Sequence, residues 1–469
     1  MDNTKQSSIG YLPDERPPFW KLLLYALQQI VVMFPATILV ALITGFHLST
    51  TIFASGLATL CFILITGKKI PLYFGSSFSY LSAIIGLTGG VEFGQILPDS
   101  MISTVQFGII ASGLVSIAAG FIVKAFGRKA IEKVLPPTVT GPIAMIIGLS
   151  LAATALGDAA PVQGGTGITA SDWVWLVSLV TLVATILFSV YLKGVWGQLP
   201  LLLGPIVGCA VAAILLATTG DSLFRTLPDA AGTGLSVIPG VLTLPHITLP
   251  VPSWAAVAAI MPIAIATIPE STAHVFQLDI YVNNLARRKG KKDYDIGNRL
   301  GQNLIGDGIG DMVAGLVGGP AGTNYGENIS AMAITRVFSI PVLIAAAIIA
   351  MIISCFTPLV NAIYAIPQAV IGGIEIYLFG AIAAQGIAIM IERKADMFSA
   401  KNIAVIAVIM IIGVGGQFKF DGMIPFLGMK VPCIAAAAIV GIFLNLLLSI
   451  GEKKRLAAEA AKAEAEKAE

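Results

Sequence analysis

Residues 318–339, GGPAGTNYGENISAMAITRVFS, decide how this 469-residue chain folds. The stretch lies between two apolar spans, yet Gly, Pro, Asn and Thr interrupt it too often for a full membrane helix, which needs about 20 mostly apolar residues. Only residues 329–334 are mainly apolar, and Glu327 stands where the irregular part turns helical. Irregular backbone at membrane depth is tolerated only where protein covers it or where it lines a cavity. An ionisable group at that depth is a functional candidate. The stretch therefore reads as a half-helix whose N-terminus faces a binding site, the arrangement of transporters with broken helices.

Outward from that stretch the chain is apolar almost throughout. Hydrophobic residues make up 56% and charged residues 12%, with a mean hydropathy of +0.89; a soluble domain carries about 25% charged residues. The fold class that follows is an all-α polytopic membrane protein. The first eighteen residues are polar and lack the short apolar core of a cleavable signal. Cys61, Cys209, Cys355 and Cys433 sit inside apolar spans at no metal-ligand spacing and read as inert thiols.

Fourteen spans are predicted, at 20–46, 49–66, 71–90, 104–124, 136–156, 173–192, 198–218, 254–278, 301–319, 324–336, 340–361, 366–390, 402–416 and 431–450. The third and tenth are the least helix-like at their starts. The basic residues test this count. Lys68 and Lys69, then Lys124, Arg128, Lys129 and Lys133, then Lys193, then Arg287 to Lys292, Arg336, Arg393 with Lys394 and Lys401, and Lys453 to Arg455 all follow even-numbered spans. Odd-numbered connections are polar, acidic or nearly uncharged, apart from Lys419 and Lys430. By the positive-inside rule both termini are cytoplasmic.

The connection 219–253 separates a first half, 20–218, from a second, 254–450, flanked by a cytoplasmic segment 1–19 and a tail 451–469. Leu135-Pro136-Pro137-Thr138-Val139-Thr140-Gly141-Pro142-Ile143 and Ile366-Pro367-Gln368-Ala369-Val370-Ile371-Gly372-Gly373-Ile374 share the pattern aliphatic-Pro-x-x-Val-x-Gly-x-Ile. They open spans five and twelve, so span three pairs with the broken span ten. Seven spans per half, an odd number, force inverted repeats. The Ala-, Glu- and Lys-rich tail reads as a solvated helix or frayed coil.

Ionisable residues within the spans are few. Glu270 and His274 lie on one helix face at i, i+4, either satisfying each other or serving as a substrate carboxylate beside a proton acceptor. Pro269 leaves an upstream carbonyl without its helical donor, which suits a polar cavity. Glu327 meets opposed influences, since a helix N-terminus favours the anion and burial the neutral acid. Asp307 and Asp311, also i, i+4, are either polar glue or a proton relay, among glycines that allow close helix packing. Glu375 is the least expected charge, and pairing with a neighbouring helix and a part in gating stand side by side. His47 and His246 fall in outer connections and are expected to be solvated. Glu270 and His274 do not form His-Glu-x-x-His, and GxxxxGK[ST] is absent, so no metal, cofactor or ATP drive is expected.

These residues resemble the nucleobase–cation symporter-2 (nucleobase–ascorbate transporter) family, and within it the uracil–proton symporters of bacteria. The resemblance covers nearly the whole chain. Asn324-Tyr325-Gly326-Glu327-Asn328-Ile329 and Met332-Ala333-Ile334-Thr335-Arg336-Val337 carry it most specifically, with Lys69-Ile70-Pro71, Gly75-Ser76-Ser77-Phe78, Glu270 with His274, and Val370-Ile371-Gly372-Gly373 in support. Purine members usually place Gln-Asn-Asn-Gly where this chain has Gly326-Glu327-Asn328-Ile329. The resemblance implies a 7+7 inverted repeat, with spans 1–4 and 8–11 as a core domain and spans 5–7 and 12–14 as a gate domain that often mediates dimerisation. Short antiparallel strands in spans three and ten would meet at the site. It further implies that Glu270 and Glu327 accept from ring N–H groups and that the Phe78 and Gly326 amides serve the carbonyls. Tyr325 would line the pocket, Phe379 would close it, and His274 would lie in the proton path. Apart from the resemblance, Asp307 and Glu375, as acids within the spans, are further candidates for proton coupling. Gln29 stands where such symporters can carry histidine, Phe379 where tyrosine can occur, and Glu375 is an additional acid.

The chemistry agrees independently. Uracil is a flat ring with two N–H donors and two carbonyl acceptors, and carboxylates, backbone amides and aromatic rings complement it. The expected function is proton-coupled uracil import across a bacterial inner membrane by alternating access, by a non-enzyme with lipids and a second copy as partners and no nucleic acid. A xanthine, uric acid or broader pyrimidine permease, and an anion transporter of the same plan, are the rival readings.

Overall fold

The computed structural model describes residues 10–127, 132–194, 196–228 and 234–466, with side chains as far as residue 450 and excluding that of Gln198. Arg128 and Lys129, and the side chains of the tail including Lys453 to Arg455, lie outside what is described. The first half comprises α1 (Phe19–Thr44), α2 (Leu48–Ile65), β1 (Phe74–Ser76), a 3-10 turn (Phe78–Tyr80) leading into α3 (Leu81–Thr88), α4 (Asp99–Phe126), α5 (Pro137–Ser150), α6 (Ala152–Ala159), α7 (Trp173–Tyr191) and α8 (Pro200–Thr219). The hairpin β2 (Ser236–Ile238) and β3 (Leu242–Thr243) follows in the long connection. The second half comprises α9 (Trp254–Ile260), α10 (Ala264–Arg288), α11 (Leu300–Val317), β4 (Gly322–Asn324), α12 (Gly326–Thr335), α13 (Ile340–Ile353), α14 (Thr357–Tyr364), α15 (Gln368–Glu392), α16 (Ala400–Phe420), the hairpin β5 (Met423–Phe426) and β6 (Met429–Pro432), and α17 (Cys433–Glu466).

Among the described residues, ten helical spans are long and apolar enough to cross a membrane. The sequence places the eighth span at 254–278, whereas helix continues to Arg288, because the polar Asn283 and Arg287 extend the last turns beyond the apolar stretch. The eleventh reads as one span but divides at Ser354 into α13 and α14.

Packing gathers into two groups. α11 runs against α4 and α2, and α13 against α1 and α2; separately, α15 runs against α5, α6 and α7, and α16 against α5 and α17. The α4–α11 contact is a backbone approach: a Cβ on Gly113 would lie 2.4 Å from the Gly308 carbonyl oxygen, and one on Gly308 2.3 Å from that of Gly113. Small residues at such a seam replace the hydrophobic drive that lipid does not supply.

The long connection is tied to both groups. Gln106 Nε2 donates to the Thr248 carbonyl at 2.8 Å, and Thr248 Oγ1 donates back to Gln106 Oε1 at 2.9 Å. Arg225 donates through Nε to the Ile366 carbonyl at 2.7 Å and through Nη1 to the Phe93 carbonyl at 3.3 Å, with its guanidinium over the Phe93 ring. His47 and His246 are not simply solvated. His47 is 5% exposed, the two rings lie 4.6 Å apart, and both face Asp99, because the connection folds back over the start of α4. Burial and the His246 ring push the His47 imidazole down to about 4.

At the opposite end, the strip from Gly10 to Glu15 closes the bundle. Tyr11 N–H donates to the Arg336 carbonyl and Phe338 N–H to the Tyr11 carbonyl, both at 2.8 Å. Lys289 Nζ donates to Glu15 Oε2 at 2.6 Å and Lys291 Nζ to Oε1 at 2.9 Å.

Candidate substrate-binding site

Two interrupted segments meet at the middle of the molecule. β1 and β4 pair antiparallel, with Phe74 opposite Asn324, Gly75 opposite Thr323 and Ser76 opposite Gly322. The pairing absorbs backbone groups that lipid could not satisfy. Tyr325 N–H donates to the Tyr73 carbonyl at 3.1 Å and Ser77 N–H to the Ala321 carbonyl at 2.9 Å. Each strand then turns directly into helix. Ser77 caps the turn that leads into α3, and Tyr325 precedes α12. Phe78 and Gly326 are the first residues of these helical turns, so their N–H groups have no intrahelical acceptor. Both residues face one cavity.

That cavity has a volume of about 690 Å³. Phe78, Ser79, Glu270, His274, Gly326 and Glu327 form its inner end, while Thr140, Ile143 and Ile147 on α5 and Ile382, Gln385 and Ile389 on α15 form the facing wall. Glu132, Asp279, Glu392 and Arg393 also line it, so it reaches the end of the bundle where the basic connections lie. A pocket between two packed helix groups with few convergent polar groups is an ordinary setting for a small ligand.

Glu270 and Glu327 are both half-buried and share the cavity wall. Glu270 Oε2 accepts from Ser79 Oγ at 3.3 Å. His274 Nδ1 is buried without a hydrogen-bond partner. Tyr325 lines the cavity with its ring, since its hydroxyl donates to the Ser76 carbonyl at 3.0 Å and shares a 2.9 Å hydrogen bond with Thr37 Oγ1. Phe379 does not line the cavity. It stands behind Phe78, edge to face, with ring centroids 5.4 Å apart and planes at 76°.

Asp307 lies one layer deeper. Its Oδ2 accepts from Ser271 Oγ and from Asn303 Nδ2 at 2.9 Å, and its Oδ1 accepts from Asn324 Nδ2 at 2.9 Å. Asp311 Oδ1 accepts from the Gly322 amide at 2.7 Å. Both aspartates therefore hold β4 in place from behind. Glu375 is remote from the cavity: it is fully buried on α15 and faces Asp158 of α6, whose Oδ1 accepts from Gln368 Nε2 at 2.7 Å. Gln29 fixes α12, since Asn328 Nδ2 donates to its carbonyl and to its Oε1, both at 2.9 Å.

The sequence does not single out Ser79, Gln385 or Asn303. Uncharged polar residues recur along many spans, so only the fold distinguishes those that face the cavity or its supporting layer. The signal for Asn303 is its i, i+4 spacing to Asp307.

The comparisons agree with this architecture. The family model described as "Permease family" matches residues 20–422. The uracil permease of Bacillus caldolyticus is 35% identical over 441 residues, which cover 92% of this chain and 93% of that protein. The uracil permease of Bacillus subtilis (strain 168) is 33% identical over 453 residues, 95% of this chain and 96% of that protein. In fold, the chain is similar to the murine Solute Carrier 26 family member A9 anion transporter in its inward-facing state, with a TM-score of 0.63 at 13% identity over 96% of this chain and 72% of that one.

Proposed function

The chain belongs to the nucleobase–cation symporter-2 family of permeases, and on that footing we propose that it imports uracil together with protons by alternating access. The observation that carries this reading is the meeting of Glu270 and Glu327 with the Phe78 and Gly326 amides around one cavity. Two acceptors and two donors match the two N–H and two C=O groups of uracil. In the proposed pose the carboxylates take the ring N–H groups, the helix-start amides take the carbonyls, and Phe78 and Tyr325 cover the faces of the ring. Phe379, edge-on to Phe78, backs the ring from the α15 side.

Proton coupling follows from the same atoms. A protonated carboxyl keeps a carbonyl acceptor for a ring N–H and gains an O–H donor for a ring carbonyl, so protonation of Glu270 or Glu327 changes how it pairs with the base and links protonation state to substrate occupancy. His274, one turn from Glu270 and lining the same cavity, takes part in the proton path, and Asp307 supports it through Ser271. The proposed plan has fourteen segments in two inverted halves. α1 to α4 and α9 to α14 form a core domain, which carries the strands. α5 to α8 and α15 to α17 form a gate domain, through which two copies pair. With the basic connections cytoplasmic, the cavity faces the cytoplasm, both termini are cytoplasmic, and transport requires the α5–α15 wall to move relative to the strands.

The rival readings use the same cavity. A xanthine or uric acid permease requires acceptors matched to a purine edge, and Glu327 stands where purine carriers usually have an amide. An anion transporter has support from the shared fold, but two carboxylates at the inner end of the cavity oppose an anionic substrate. The test is uracil binding to the detergent-purified protein by calorimetry. A hydrogen bond to a charged group contributes about 1.5–3 kcal/mol, and about 1.4 kcal/mol is tenfold in affinity. Glu270→Gln and Glu327→Gln are each expected to weaken binding at least about tenfold with unchanged melting temperature. Wild-type uracil affinity in Glu327→Gln would remove the site assignment.

A further inference from the structure

Two of the three histidines in this chain meet at the end of the bundle opposite the cavity mouth. His47 follows α1, Asp99 opens α4, and His246 comes from the long connection. His246 Nε2 lies 2.9 Å from Asp99 Oδ2, and His47 Nε2 lies 3.6 Å from Asp99 Oδ1. One ligand atom from each of the three residues falls within 4.8 Å of the others. His246 and Asp99 meet at hydrogen-bond distance, whereas His47 approaches Asp99 only at ion-pair distance. His47 is 5% exposed, and its Nε2, aimed at the cluster, has no hydrogen-bond partner. A buried polar atom left unpaired costs about 1–3 kcal/mol, so its retention calls for a ligand.

We propose that His47, Asp99 and His246 bind a divalent transition-metal cation of the Zn²⁺ class. Two imidazoles and one carboxylate suit that class. Asp99, with its side chain 58% exposed, and His246, at 25%, leave a solvent-facing position for a water as the remaining ligand. The ion joins the long connection to the α1–α2 turn and the start of α4. It does so beside contacts that already hold the connection there, Thr50 Oγ1 donating to the His246 carbonyl at 2.6 Å and Gln106 with Thr248. The role is structural: the metal clamps the connection to α2 and α4, far from the transported substrate.

The test uses the full chain in detergent, stripped with a chelator and titrated with Zn²⁺ by calorimetry and with Co²⁺ by visible absorption. One ion per chain is expected, with the absorption of nitrogen-ligated Co²⁺, and with proteolysis within residues 234–253 slowed by Zn²⁺. Loss of a group that merely supports a metal ligand costs about 10–100-fold in affinity, so His246→Ala and Asp99→Asn are each expected to cost at least about 100-fold. His246→Ala alters only a partly exposed side chain, which keeps the test independent of folding should His47→Ala prove unstable. Absence of saturable binding, or unchanged affinity in His246→Ala and Asp99→Asn, would overturn the proposal. So would binding lost only in His274→Ala, which would move the ion to the cavity.

Discussion

Asp307 accepts hydrogen bonds from residues on three elements, Ser271 on α10, Asn303 on its own helix and Asn324 at the end of β4. One carboxylate thus fixes the strand from which Tyr325, Gly326 and Glu327 project. Asp307→Ala leaves those donors short of their acceptor inside the bundle, and each unsatisfied group costs about 1–3 kcal/mol. The expected outcome is a lowered melting temperature together with lost uracil binding. Asp307→Asn retains an acceptor oxygen and is expected to keep the fold. Wild-type melting of Asp307→Ala would mean that the aspartate does not hold β4. Glu270, Glu327 and Asp307 stand out in the sequence because charges are rare within apolar spans. Ser79 and Gln385 do not, because uncharged polar residues recur along many of the spans.

At the scale of elements, the break at residues 318–339 is legible because Gly, Pro, Asn and Thr interrupt it before any run of about 20 mostly apolar residues is reached. Three-residue strands have no periodicity to detect, so the partner in span three is legible only through the repeat that pairs it with span ten and through the family resemblance. Glycines keep this seam open: a Cβ on Gly322 would lie 2.7 Å from the Gly75 carbonyl oxygen across the strands, and one on Gly75 would lie 2.4 Å from the Tyr325 ring. Overpacking of this kind costs about 1–3 kcal/mol. Gly75→Ala is expected to displace the Tyr325 ring, to pull its hydroxyl from Thr37 and the Ser76 carbonyl, and to reduce uracil affinity. Calorimetry beside a melting curve checks this, and unaltered binding would show that the β1–β4 seam does not shape the site. The His47, Asp99 and His246 cluster is likewise beyond periodicity, because its residues come from two separate connections and the start of α4.

Across the whole molecule, the strip from Gly10 to Glu15 links the start of α1 to the ends of α10 and α12. Burial alone pushes the Glu15 carboxyl up, but hydrogen bonds from Lys289, the Leu12 amide and Lys291 outweigh it and hold the group below its ordinary value. A carboxyl lowered on folding stabilises the native state above its unfolded value and loses that contribution as pH falls through its folded value. Melting temperature is therefore expected to decline more steeply below about pH 4.5 for the wild type than for Glu15→Gln. Parallel curves for the two proteins would show that the Lys289–Glu15–Lys291 contact contributes nothing.

The central claim concerns what crosses the membrane and what drives it. Radiolabelled uracil uptake in cells lacking their own uracil permease, with and without a protonophore and with excess unlabelled xanthine, thymine or cytosine, tests both parts together. Concentrative uptake that resists xanthine and collapses with the protonophore is the predicted result. Accumulation undiminished by the protonophore would contradict proton drive, and no uracil uptake by protein shown to be in the membrane would contradict the substrate.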